Sequence, residues 1–157
     1  MNNKIKLTIS LIAPQAAGLI GSIFTASSVT GWYSTVTRPE LAPPNWIFGP
    51  VWTTLFVLMG IALFLVWKKK DSQKKKVKLA LQLFVAQLVL NTLWSVIFFG
   101  LQSPGWAFVE IIFLWISIAL TITVFTPISR LAAWLLVPYL AWVSFAAYLN
   151  YSIWMLN

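Results

Sequence analysis

Apolar residues in this chain fall into five long runs, at about 7–27, 48–67, 77–100, 106–125 and 131–155. Each is close to the roughly 20 residues that a helix needs to cross a bilayer. Hydrocarbon offers no partner to a backbone N–H or C=O, so such runs are expected as helices. The breaks between them are a Lys-rich spacer at 68–76 and two short turns, 101–105 with Pro104 and Gly105, and 126–130 with Pro127. The expected fold is an all-α membrane protein, a five-transmembrane-helix bundle in a single domain over 1–157. The first run begins like a signal peptide, with Lys4 and Lys6 before it and small residues at Ala16–Gly18. Its apolar stretch continues through Leu19–Phe24, so a retained helix is expected. Ala17, Gly18, Gly21 and Ser22 give small-residue spacings that let another helix approach closely.

The segment 28–47 breaks the pattern. Together with the start of the next run, Trp32–Trp52 reads WYSTVTRPELAPPNWIFGPVW, with three Trp and four Pro. Each Pro fixes its own φ and restricts the residue before it, so ordering this loop costs little entropy. Trp adds large amphipathic surface. The loop reads as an ordered lid or wall over something flat and apolar.

Polar residues interrupt the runs at helical spacing. Gln87, Asn91, Trp94, Ser95 and Phe98 share one stripe of the third run. Tyr139, Trp142, Ala146 and Asn150 share one in the fifth, where a small residue between aromatics leaves room for a guest. Amides in hydrocarbon need partners, so both stripes should face the interior. Helix–helix hydrogen bonding or a ligand site would each account for them. Glu110 is the one acid inside a run, about a turn into the fourth. It sits at the depth of the Trp-rich loop, and an ion pair with Arg38 closing the loop over the bundle is the expectation.

Composition narrows the chemistry. Charged residues make up 9% of the chain, against roughly 25% in soluble domains. With no Cys and no His, zinc catalysis, Cys nucleophiles and His-centred triads are excluded. A haem could draw an axial ligand only from Met or Tyr. The net charge is +8, and seven Lys lie within 68–78. This run sits between two spans without interleaved aromatics. It reads as a loop touching anionic lipid headgroups, not as a nucleic-acid site. Five spans place ten of the eleven basic residues on one side, leaving Arg38 on the other. The positive-inside rule then puts the N-terminus in the cytoplasm and the Trp-rich loop and C-terminus outside.

Ten Trp in 157 residues is a large excess. Trp67 and Trp154 fit an interfacial belt, and Trp115 would face lipid or a partner chain. Trp32, Trp46, Trp52, Trp94, Trp106 and Trp142 can all lie in the outer half of the bundle, and such a set suits a large planar aromatic ligand.

These residues resemble the TSPO/MBR family, the translocator (peripheral benzodiazepine receptor) and tryptophan-rich sensory proteins. The resemblance lies in Trp32-Tyr33, Arg38-Pro39, Pro43-Pro44, Trp46 and Gly49-Pro50-Val51-Trp52. It continues through Gln87, Asn91, Trp94, Phe98-Phe99-Gly100, Gly105-Trp106-Ala107 and Glu110. It ends in Pro138-Tyr139-Leu140-Ala141-Trp142, Phe145-Ala146 and Leu149-Asn150-Tyr151. It implies a homodimeric five-helix bundle whose pocket opens toward the first loop. The implied ligands are porphyrins such as protoporphyrin IX and haem, and synthetic isoquinolines and benzodiazepines. No further cofactor is implied. Carried onto this chain, the binding residues are Trp52, Asn91, Trp94, Trp106, Trp142, Ala146 and Leu149. Trp32, Pro44 and Trp46 lie nearby, Arg38 meets the propionates, and Glu110 and Tyr139 complete the set. The animal members' cholesterol pattern needs a basic residue after Leu149 and Tyr151, and none follows. Cholesterol is therefore not expected as a specific ligand, and a prokaryotic cell membrane is the expected location.

Three functional readings follow. The first is tetrapyrrole binding and transport, in which metal-free protoporphyrin binds about as well as haem because no axial ligand is available. The second is light-dependent porphyrin degradation, with Trp52 and Trp142 as the photochemical residues. The third is a ligand-responsive signalling protein that neither transports nor catalyses.

Overall fold

The computed structural model describes residues 2–157. Six α-helices follow in order: α1 Asn3–Val29, a single turn α2 Trp32–Thr35, α3 Asn45–Trp67, α4 Lys74–Ser95, α5 Pro104–Phe125 and α6 Arg130–Leu156. Five of them are long and apolar enough to cross a membrane. They match the five runs, with the first loop shortened: α1 continues to Val29 and α3 begins at Asn45, three residues before the expected start. The helix ends obey local chemistry. Asn2 caps α1 by accepting from the Lys4 N–H, Ser129 caps α6 by accepting from the Ala132 N–H, and Pro104 opens α5 where its missing N–H costs least.

The five long helices form a closed ring in the order α1, α3, α6, α5, α4. Their outer faces carry rows of exposed apolar side chains, among them Ile12, Ile23, Val85, Val89, Phe113 and Trp134. In water this would be an aggregating surface; it is the surface of an integral multi-pass membrane protein.

The ring is solid at one end and hollow at the other. At the end that carries the Lys-rich spacer, Met59, Val66, Val77, Phe84, Ile118 and Phe125 are fully buried in one core. Lys6 is buried there too, 4.0 Å from Asp71 in the spacer. Here α1 and α3 touch backbone to backbone. A Cβ on Gly60 would lie 2.8 Å from the Ser10 carbonyl oxygen, so only glycine permits the approach. Further toward the other end, Gly18 of α1 makes room for the Phe56 ring of α3.

After Ser95 the third span, α4, changes to π-helix over Val96–Gly100, shown by the Leu101 N–H donating to Val96 O at 2.8 Å. Gln102 follows with φ of 51°, a left-handed backbone that turns the chain into α5. Such π segments often mark functional sites.

Candidate functional site

Side chains from α4 and α6 meet inside the ring, although the two helices face each other across it. The Tyr139 hydroxyl donates to Gln87 Oε1 at 2.8 Å, and Asn91 Nδ2 donates to the Tyr139 oxygen at 3.0 Å. Less than one turn beyond Asn91 on α4, Trp94 Nε1 donates to Asn150 Oδ1 at 2.9 Å, and Asn150 Nδ2 donates to the Pro104 carbonyl at 2.7 Å. The two polar stripes are therefore a bridge. Helix–helix bonding accounts for Gln87 and Tyr139, which are almost completely buried.

The bridge divides the hollow end of the ring. On its α1/α3 side lies a cavity of about 340 Å³, and no residue of α5 lines it. Trp52 and Phe48 come from α3, Trp94 and Asn91 from α4, and Trp142, Ala146 and Leu149 from α6. Its fourth wall is α1, with Gly18, Gly21, Thr25 and Val29. The exposed residues Leu19 and Ser22 of α1 and Gly49 and Thr53 of α3 also line it, so it opens sideways between these two helices. The volume is at the lower end of the roughly 300–1,000 Å³ of small-molecule pockets.

The roof is the Trp-rich loop. Tyr33 is buried and makes edge contacts with Phe98 and Phe99 of the π segment, while Trp32 meets Phe98 at 5.7 Å between ring centroids. Burial raises the Tyr33 phenol above its ordinary value, with Arg38 acting the other way. The guanidinium of Arg38 stacks 5.4 Å over the Tyr33 ring and donates to Asn45 Oδ1 at 3.0 Å. The loop is also tied to the chain's last residue: the Thr37 N–H donates to Asn157 Oδ1 at 2.9 Å, and Asn157 Nδ2 donates to Thr37 O at 3.0 Å.

Of the residues expected at the site, Trp52, Asn91, Trp94, Trp142, Ala146 and Leu149 come together on the cavity wall. Arg38 sits at its rim through Asn45. Tyr139 lies behind the wall, its ring edge toward Trp52 at 6.2 Å. Pro44 is the exposed N-cap of α3, and Trp46 projects outward, 73% exposed. Trp32 and Trp106 line a separate shallow hollow with Trp154, on the outer end of α5 and α6.

The expected Arg38–Glu110 ion pair is not formed. Glu110 lies on α5, behind the bridge, buried and with neither carboxylate oxygen hydrogen-bonded among the described residues. Arg38 is on the cavity side. Equal depth in the membrane placed them together in the sequence; the α4–α6 bridge separates them. Trp115, left between lipid and a partner chain, is 40% exposed and donates to Ser144 Oγ on α6 at 2.8 Å. Sequence reasoning missed the α1 wall, Phe48, Phe56 and the Asn157 clamp. The small residues of α1 were the one available sign.

This arrangement, a membrane-spanning five-helix bundle with an aromatic cavity roofed by a Trp/Pro loop, defines a class of integral multi-pass membrane protein. The chain belongs to the TspO/MBR family, whose profile matches residues 10–155. It is 46% identical over 155 residues to the Tryptophan-rich protein TspO of Archaeoglobus fulgidus, covering 99% of both chains. It is 40% identical over 146 residues to the Translocator protein of Homo sapiens, covering 93% of this chain and 86% of that one. Similarity to the Tryptophan-rich sensory protein of Cereibacter sphaeroides is 35% over 126 residues, covering 80% and 77%.

Replacing Asn150 by Leu leaves the Trp94 N–H unpaired inside the bundle and removes the tie from α6 to the Pro104 carbonyl. The expected cost is about 1–3 kcal/mol, read as a lower thermal midpoint of the detergent-solubilised protein. An unchanged midpoint would show that the bridge contributes nothing to stability.

Proposed function

We propose that this chain binds tetrapyrroles such as protoporphyrin IX and haem in the cavity between α1, α3, α4 and α6, and holds or moves them within the membrane. The observation that carries the reading is the wall itself. Three Trp from three different helices surround a space whose inner edge, Ala146 and Leu149, is apolar. Indole faces stack on a flat ring. The Arg38 guanidinium at the rim supplies a cation for propionates at the water boundary. A ring of this size fills the cavity and projects through the lateral opening, so the ligand is shared between protein and bilayer. The names of two relatives, translocator and sensory protein, agree with a carrier or sensor. Synthetic isoquinolines and benzodiazepines, flat and apolar, suit the same walls.

A second reading, light-dependent breakdown of the bound ring with dioxygen as oxidant, is favoured by one observation. Trp52 and Trp142 both line the cavity, where an excited ring would be within reach of either indole.

The orientation we propose follows from charge. The Lys-rich end faces the cytoplasm, and the cavity and loop face outward. A membrane-impermeant thiol reagent should modify a cysteine placed at Ser72 in inverted vesicles and not in intact cells; the reverse pattern overturns the orientation.

Titration of the detergent-solubilised protein with protoporphyrin IX in the dark, followed by Trp fluorescence, should saturate. Ala146→Phe, which puts a ring into the cavity, should weaken binding at least about tenfold, or about 1.4 kcal/mol. Saturable binding that is indifferent to Ala146→Phe would place the ligand elsewhere. Under light, bleaching of more than one porphyrin per chain would identify a catalyst, and its absence a carrier or sensor.

A further inference from the structure

Glu110 is the one acid inside a span, and the cavity does not use it. It lies on α5 about 9 Å from Pro104, at 1.5 Å per residue. It is 7% exposed, and neither carboxylate oxygen has a hydrogen-bond partner among the described residues. No cation faces it. α5 packs against α4, the π segment and α6. Beyond Lys78, α4 and the π segment carry no charged or titratable side chain, and the Lys residues belong to the opposite end of the bundle. On α6, Arg130 starts the helix at that same far end, and Tyr148 and Tyr151 are exposed. Arg38 lies across the bridge. The titratable group beside Glu110 is Tyr139, buried and within electrostatic range of the carboxyl. A phenol supplies no positive charge. An ionised Glu110 would therefore be an uncompensated charge out of water, a state that a buried carboxyl avoids by keeping its proton.

We propose that Glu110 is a proton-binding site behind the bridge, and that its proton is linked to occupancy of the cavity in front of it. The link is the Tyr139 hydroxyl, which pairs with both Gln87 and Asn91. Asn91 lines the cavity. A phenol has one hydrogen and Gln87 Nε2 is unpartnered, so the three side chains can pair in either direction. A negative charge on Glu110 draws the phenol hydrogen toward itself and loosens the hold on the wall. Through a medium of low dielectric it also repels an anionic ligand. The cavity therefore holds such a ligand best while Glu110 carries its proton, and releases it as Glu110 ionises. Linkage is reciprocal, so a bound ligand also tightens the proton. A proton-driven carrier needs such a device. The linkage to the cavity rests on the tetrapyrrole reading; the proton site does not.

Infrared spectroscopy of the ligand-free full chain in detergent reads the site directly. Exposed carboxyls ionise well below neutral pH, and the other two acidic side chains, Glu40 and Asp71, are exposed. The carbonyl stretch of a protonated side-chain acid at neutral pH therefore belongs to Glu110. It should be present in the native chain and in a Glu40→Gln, Asp71→Asn double variant, and missing in Glu110→Gln. It should fade as pH rises from about 6 to about 10, the span over which a buried carboxyl can lose its proton. Over the same span, protoporphyrin IX titrated in the dark should weaken at least about fivefold more for the native chain than for Glu110→Gln, the low end of coupling between two sites. The variant cancels the titration of the porphyrin's own propionates, and Glu110→Met replaces it should Glu110→Gln fail to fold. Absence of the band at neutral pH, its survival in Glu110→Gln, or no fading up to about pH 10 overturns the proposal. So does a band that fades while the two affinities stay parallel. A native chain that binds no porphyrin at any pH defeats the tetrapyrrole reading and the linkage to the cavity, while the band still decides the proton site.

Discussion

The hydrogen-bonded bridge from α4 to α6 is the constraint on which this molecule depends. In a bilayer, apolar surface gains nothing by leaving lipid for another helix, so packing and polar contacts must fix the arrangement. Two groups of side chains do so across the ring: Gln87 and Asn91 through the Tyr139 hydroxyl, and Trp94 through Asn150 to the Pro104 carbonyl. Each bond is worth little on average, roughly 0.6 kcal/mol in membrane bundles. Leaving any partner unpaired costs more than that, so the set is kept whole. The bridge also decides what is site and what is scaffold. Everything on its α1/α3 side lines the cavity, and α5, with Glu110 and Trp106, lies behind it.

The solid end and the hollow end do different work. Glycine lets α1 and α3 pack closely, backbone to backbone at Gly60 and against the Phe56 ring at Gly18. The cavity lies at the other end, between α1, α3, α4 and α6, and aromatic side chains line it without filling it. The roof is held from three directions: Tyr33 against the π segment, Arg38 between Tyr33 and Asn45, and Thr37 against Asn157. A lid rich in Pro and Trp loses little entropy on docking, which is why a few weak ties suffice to order it.

Much of this was legible in the sequence, for reasons that differ by residue. The spans follow from length and apolar content alone. The Gln87–Phe98 and Tyr139–Asn150 stripes follow from a period of 3.6. Periodicity names a face but not the partner across from it, so a helix–helix bridge and a cavity wall were alternatives in the sequence; Asn91 and Trp94 belong to both. Arg38 and Glu110 share a depth, and depth says nothing about which side of the ring a helix occupies. Trp46 and Trp106, more than 70% exposed, are chemically identical to the cavity tryptophans. An interfacial belt and an aromatic pocket have the same composition, and only helix rotation separates them. The α1 wall was hardest to see, because glycine marks a space by having no side chain.

The central claim is that the cavity bounded by α1, α3, α4 and α6 is where a tetrapyrrole binds. The most direct measurement is a crystal structure of the protein grown with protoporphyrin IX. Electron density for the ring between Trp52, Trp94 and Trp142, beneath Tyr33, is the predicted result. Density in the outer hollow beside Trp32, Trp106 and Trp154, with the cavity unaltered, would contradict the account.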